Sequence, residues 1–186
     1  MLKEFDPEVL GRLEVGWWKA HNAKDHSLML ELLIKQNVNL YSFTPQEARE
    51  TLKFLIQATK FHDTRDWNAA VSLVGEYYRV IKTKTGLQFN PKRVAELEVG
   101  WWKLHDELEG NEDKSPLATA FVNLYSMQFG IPKDKLLKAG ELKAKATHEH
   151  DLAENPSTRP EDVETHWKKA EQLLIEFYRE LRKALS

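Results

Sequence analysis

Cysteine is absent from this chain of 186 residues. Its absence excludes disulfide frameworks, zinc–thiolate sites, iron–sulfur clusters and thiol nucleophiles. The eight glycines are scattered singly, so the chain has no glycine-rich loop that would cradle a phosphate. A Gly-x-Ser-x-Gly motif, which would indicate a serine nucleophile, is also missing. Nucleophilic catalysis therefore has little support in the sequence.

The chain also lacks an excess of one charge and a long apolar run. Its 27 basic and 29 acidic residues give a net charge of -2, which provides no basic field for nucleic acid or acidic lipid. The longest apolar candidate, residues 28–34, is interrupted by Glu31. The first six residues lack the apolar core of a signal peptide. We therefore expect a soluble cytoplasmic protein with neither a nucleic-acid nor a membrane partner.

Tryptophan, in contrast, is abundant, and its six copies follow an internal repeat. The segment Leu-Glu-Val-Gly-Trp-Trp-Lys-Ala-His at 13–21 recurs at 97–105 with one difference, an offset of 84 residues. Val-Asn-Leu-Tyr-Ser at 38–42 recurs at 122–126 with the same offset, and two later matches have offsets of 88 and 100. These matches in one order predict a tandem duplication, with repeats at 1–86 and 87–186 related by a pseudo-twofold axis.

Each repeat has the pattern of four helices. Asp6 followed by Pro7 is typical of a helix start, and Thr44 with Glu47 forms the pattern of a capping box. No stretch alternates at period two, so we predict an all-α protein with about eight helices joined by short loops. Glycine inside the first helix of both repeats, at Gly16 and Gly100, indicates that another helix crosses closely there.

Two arrangements of the repeats are open at this stage. Each repeat is one four-helix bundle, or the two interleave as the subunits of an ancestral homodimer would. We favour separate bundles, because four amphipathic helices in 84 residues can close a core of their own.

Histidine and carboxylate residues in the repeated segments are candidate metal ligands. Glu14 and His21 are seven residues apart, within about 20° of two helical turns, and His62 with Asp63 ends the third helix. Such side chains are plausible ligands of iron, manganese or zinc. The spacing of about 10.5 Å between the first two Cα atoms favours an alternative, in which these residues flank the apolar stripe and histidine bonds a neighbouring helix. The counterparts in the second repeat are Glu98, His105, His150 and Asp151.

Tryptophan and asparagine supply candidate interface or ligand residues. Trp17 continues an apolar stripe, whereas Trp18 is turned by about 100° and, like Trp102, is free to contact the other repeat, a second chain or a partner. Asn39 and Asn123 place an amide inside a helix beside apolar positions. We interpret that amide as a buried contact between helices or as a ligand-recognition group.

Two functional hypotheses follow from the sequence. The first, which we prefer at this stage, is a non-catalytic binding or protein-interaction module that self-associates or binds a protein partner. The second is a metal-binding helical protein or metal-dependent enzyme that uses the glutamate, histidine and aspartate residues named above.

Overall fold

The computed structural model describes residues 5–186, except for the side chain of Asp63. Eight α-helices and one short 3₁₀ helix, Lys133–Leu136, account for the described secondary structure, and no strand occurs within these residues. The prediction of an all-helical protein is confirmed. No helix in residues 5–186 has the length and hydropathy that a membrane span requires. The helices are α1 (Pro7–Asn22), α2 (His26–Tyr41), α3 (Pro45–Asp63), α4 (Trp67–Thr85), α5 (Pro91–Glu107), α6 (Ser115–Phe129), α7 (Leu137–Glu154) and α8 (Pro160–Leu185).

Local capping signals determine where several helices begin and end. The Asp6 carboxylate accepts the backbone N–H of Glu8 at 2.8 Å, as predicted for the start of α1. Thr44 and Glu47 form the predicted capping box at α3 through reciprocal hydrogen bonds of 3.2 and 2.7 Å. Helix α4 ends at Gly86, whose φ of 72° lies in the left-handed region that glycine adopts readily.

The helices pack as a closed ring. Each helix contacts the next along the chain, and α8 returns to pack against α1. Consequently α4 of the first half packs on α5 of the second, and one hydrophobic core contains residues from both halves. This packing differs from the preferred expectation of two separate bundles, because α1 packs on α8 and α4 packs on α5, so that a single core joins the two halves.

The closest approaches of one helix backbone to another occur at Gly11 and Gly140, and not at the repeated glycines Gly16 and Gly100. A Cβ atom at Gly11 would lie 2.8 Å from the backbone nitrogen of Ile175 in α8. A Cβ atom at Gly140 in α7 would lie 2.6 Å from the carbonyl oxygen of Ala118 in α6. A Cβ atom at Gly100 would meet nothing within 4 Å, so the predicted close crossing is wrong there. At Gly16 only the side chain of Leu32 comes near.

Candidate metal centre

Three of the eight predicted ligands meet at one point, where α5 faces α7. His105 Nε2 lies 2.8 Å from Asp151 Oδ1, and His150 Nδ1 lies 3.3 Å from the same oxygen. One donor atom from each of the three residues lies within 4.8 Å of the donor atoms of the other two. The side chains of the three residues retain 29%, 15% and 23% exposure in the order His105, His150 and Asp151, so solvent reaches the cluster.

Aromatic rings from three helices hold the two histidines. The His150 ring lies between Trp18 of α1 and Trp167 of α8, with centroid separations of 5.0 and 5.6 Å. The His105 ring contacts Trp101, one turn earlier on α5, at 6.4 Å. The imidazoles are thus positioned by packed neighbours from rigid helices, as a ligand site requires.

Two further charged groups contact the cluster from outside. Glu154 Oε1 lies 3.0 Å from His150 Nε2, the ring nitrogen that faces away from Asp151. Lys114 Nζ lies 2.7 Å from Asp151 Oδ2, the oxygen that faces away from the histidines. Lys114 is buried, with 6% of its surface exposed, and also donates to the carbonyl oxygen of Leu108 at 2.7 Å.

These contacts shift the protonation of both central groups. Burial alone would lower the pKa of His150, but its hydrogen bonds with Asp151 and Glu154 raise that pKa to about 9. Burial alone would raise the pKa of Asp151, and the hydrogen bonds from His105, His150 and Lys114 hold it well below its usual range. Without a bound ion, the raised pKa of His150 favours its protonated form at neutral pH, between the carboxylates of Asp151 and Glu154.

The structure does not bring Glu14 and His21 together. Glu14 is buried in the core, where it pairs with Lys143 of α7 and accepts the hydroxyl of Tyr178 at 2.6 Å. Lys143 Nζ also lies over the rings of three aromatic residues. The rings beneath Lys143 belong to Trp18, Phe121 and Phe177. The side chain of His21, in contrast, is exposed.

Glu98 is half-buried and has different partners from the buried Glu14. It accepts the Tyr78 hydroxyl at 2.8 Å and the Trp102 indole N–H at 3.2 Å. Burial raises the pKa of Glu98, despite these hydrogen bonds and the field of Lys143. Both repeated glutamates thus face the core and not the histidine cluster.

His62, which corresponds to His150 in the sequence repeat, contacts Asp106 of α5. Its Nε2 atom is 3.2 Å from Asp106 Oδ1, and its ring contacts Trp67 and Trp102 at 5.4 and 6.2 Å. The predicted ligand next to it, Asp63, has a side chain outside the described residues.

Trp18 is more buried than Trp17, the reverse of the order that the apolar stripe predicts. Trp18 is buried, with 8% of its surface exposed, because its ring packs against His150 and Lys143. Trp17 is half-buried and donates its indole N–H to Gln36 at 2.9 Å. The Trp18 ring contacts His150, and the Trp102 ring contacts His62, each in the other half of the chain.

The predicted buried amide is at a neighbouring position. Asn39 is exposed and donates to the carbonyl oxygen of Lys35 in its own helix at 2.8 Å, which contradicts a buried contact there. Asn123 is half-buried. Asn37 is the buried asparagine, and it accepts the hydroxyl of Tyr77 at 3.0 Å. The position two residues earlier faces the core because α2 turns by about 200° between them.

Sequence reasoning missed Glu154 and Lys114. Glu154 was detectable, because it lies four residues after His150 on one helix and therefore shares its face. Lys114 carries no such signal, since it lies in the segment between α5 and α6 and outside the repeated motifs. No protein-family model, curated protein or solved structure matches this chain. The chemistry of the residues themselves therefore carries the functional interpretation.

Proposed function

We propose that this protein binds one divalent transition-metal ion through His105 Nε2, His150 Nδ1 and Asp151 Oδ1. The observation that carries the proposal is the convergence of these three residues from two helices, with one donor atom of each within 4.8 Å of the donor atoms of the other two. Two imidazoles and one carboxylate are a ligand set of zinc sites and of non-haem iron(II) sites that retain open coordination positions.

The separations of the donor atoms suit such an ion. Ligands at about 2.0–2.1 Å from a tetrahedral zinc ion lie about 3.3–3.4 Å from one another. The two imidazole–carboxylate separations, 2.8 and 3.3 Å, are close to that value, so small side-chain movements admit the ion. The partial exposure of all three side chains leaves room for water or another ligand in the remaining position.

Glu154 supports the proposal from the outer shell. A ligating histidine usually donates its second ring N–H to a carboxylate, which fixes the tautomer and the ring orientation. Glu154 Oε1 lies 3.0 Å from His150 Nε2, close enough to pair with that ring nitrogen. His150 Nδ1 then presents its lone pair toward Asp151 and the proposed ion.

The duplication and its pseudo-twofold relation form part of the same proposal. Equivalent contacts between the halves support it, because Tyr78 donates to Glu98 just as Tyr178 donates to Glu14. The rings of His62 and Trp102 also correspond to those of His150 and Trp18. In this arrangement the repeated tryptophans lie between the halves and flank the histidines. Of the corresponding residues His62 and His150, His150 belongs to the cluster with His105 and Asp151.

Metal titration of untagged protein tests the proposal. After treatment with a chelator, we expect the protein to bind one equivalent of Zn²⁺ in a calorimetric titration. His105→Ala and His150→Ala each lose this binding and retain their helicity by circular dichroism.

The matched control is His21→Ala, which removes an exposed histidine that the sequence also offered as a ligand. We expect it to bind zinc as the unaltered protein does. The proposal is wrong if the unaltered protein binds no metal, or if His21→Ala weakens binding as much as His150→Ala does.

A further inference from the structure

We infer that Lys114 determines which metal ion the site selects, by holding Asp151 Oδ2 so that this carboxylate offers only one oxygen. The inference rests on the proposed metal site and adds the chemical class of its ion. It predicts a preference for zinc over manganese.

Lys114 is fixed in place on two sides. Its ammonium lies 2.7 Å from Asp151 Oδ2 and 2.7 Å from the carbonyl oxygen of Leu108, the residue that follows the last turn of α5. With only 6% of Lys114 exposed, the ammonium has little access to water as an alternative partner. Asp151 Oδ1 is left as the oxygen that faces both histidines.

The number of oxygens that Asp151 can offer bears on the choice of ion. Zinc is satisfied by four ligands, and two imidazoles with one carboxylate oxygen and a water molecule complete its tetrahedron. Manganese favours carboxylate, carbonyl and water oxygens in octahedral surroundings. A carboxylate confined to one oxygen withholds a ligand that manganese would use and zinc does not need.

The positive charge of Lys114 acts differently from its direct contact with Asp151 Oδ2. An ammonium beside a ligand repels every divalent ion to a similar extent, because the interaction depends on charge and distance. Removal of the charge should therefore strengthen the binding of zinc and manganese alike. The ratio of zinc affinity to manganese affinity therefore reports the number of oxygens that Asp151 offers to the ion, because the effect of the charge cancels.

Two substitutions at Lys114 separate these effects. Lys114→Met removes both the charge and the contact with Asp151 Oδ2, and we expect the ratio of zinc affinity to manganese affinity to fall by about tenfold or more. Lys114→Gln removes the charge but keeps an N–H donor for Asp151 Oδ2. We expect it to bind both ions more tightly and to retain the ratio of the unaltered protein.

The outcomes distinguish this inference from the proposed function. If the unaltered protein binds neither ion, the proposed function fails. If it binds zinc and Lys114→Met leaves the ratio unchanged, only the role of Lys114 is overturned. Should Lys114→Met fail to fold, the visible spectrum of the unaltered protein loaded with Co²⁺ decides. Strong bands from a four-coordinate ion support the inference, and the weak bands of a six-coordinate ion contradict it.

Discussion

Glu14 and Glu98 occupy equivalent positions in the repeated segment but have different charge partners. Glu14 is paired with the ammonium of Lys143, whereas the side chains that donate to Glu98 are the neutral Tyr78 and Trp102. An uncompensated carboxylate is costly in a low-dielectric interior, so burial raises the pKa of Glu98. The protonation of this group should therefore be linked to folding.

Glu98→Gln should change how stability depends on pH. Because the pKa of Glu98 is raised in the folded state, its contribution to the free energy of unfolding is present below the ordinary value of 4.5 and is lost as pH rises above it. The unaltered protein should therefore lose stability relative to Glu98→Gln as the pH rises above about 4.5, because the pKa of Glu98 is raised in the folded state. Urea unfolding of both proteins across this range measures the difference, and a difference that does not vary with pH would contradict the prediction.

Glu154 should affect metal affinity without contacting the ion. Glu154→Gln keeps the size of the side chain but removes the charge that orients and polarises His150. We expect zinc affinity to fall by about 10- to 100-fold, the range typical of outer-shell partners. Competition with a chromophoric chelator measures the change.

The matched control for this prediction is Glu141→Gln. Glu141 lies on the same helix, and 56% of its side chain is exposed. Zinc affinity should be unchanged in this variant. Equal affinities for Glu154→Gln and the unaltered protein would exclude an outer-shell role for Glu154.

At the scale of the helices, close packing depends on a few residues without side chains. Gly140 lets α7 approach α6, because a Cβ atom there would lie 2.6 Å from both Ala118 O and Val122 Cγ2. Gly100 on α5 has open space around the same position. The two glycines thus differ in what a methyl group would meet.

Alanine substitutions at these glycines should have opposite effects. Gly140→Ala should lower the free energy of unfolding by about 1–3 kcal/mol, as overpacking does. Gly100→Ala should raise it by up to about 1 kcal/mol, because alanine favours the helix and meets no neighbour. Chemical denaturation measures both values. A Gly140→Ala variant as stable as the unaltered protein would show that the crossing is looser than described.

The helices themselves were predictable because their signals are local. Asp6, Thr44 and Glu47 act on backbone groups within three residues of themselves, so the sequence alone identifies these helix starts. The buried face of α1 was not predictable in this way. It contains Leu10, Glu14 and Trp18, and a pattern of apolar residues alone passes over the charged Glu14 and rotates the stripe toward Trp17.

The candidate site was predictable only in part for a similar reason. The repeat comparison selected His105, His150 and Asp151, but gave them the same weight as Glu14 and Glu98. Lys143 pairs with Glu14 in the core, and Lys114 pairs with Asp151 in the histidine cluster. Both lysines are buried and lie outside the repeated motifs. Such contacts between distant segments follow from the closed ring of helices and not from local spacing.

At the scale of the whole molecule, the closed ring should make the two halves unfold together. Helix α4 packs on α5, α8 packs on α1, and the main core includes residues from both halves. We expect one cooperative transition, with helicity and tryptophan fluorescence giving the same midpoint in urea. Each half contributes three of the six tryptophans to the fluorescence signal. Two separate transitions would indicate that the halves are independent domains.

The metal ion would connect two helices that otherwise share little. Within residues 5–186, α5 and α7 are not among the helix pairs with extensive packing, yet His105 and His150 meet between them. An anomalous difference map from crystals grown with zinc, recorded at its absorption edge, tests the account most directly. We predict a peak within bonding distance of His105 Nε2, His150 Nδ1 and Asp151 Oδ1. A map with no peak there, in crystals that contain zinc at other positions, would contradict the account.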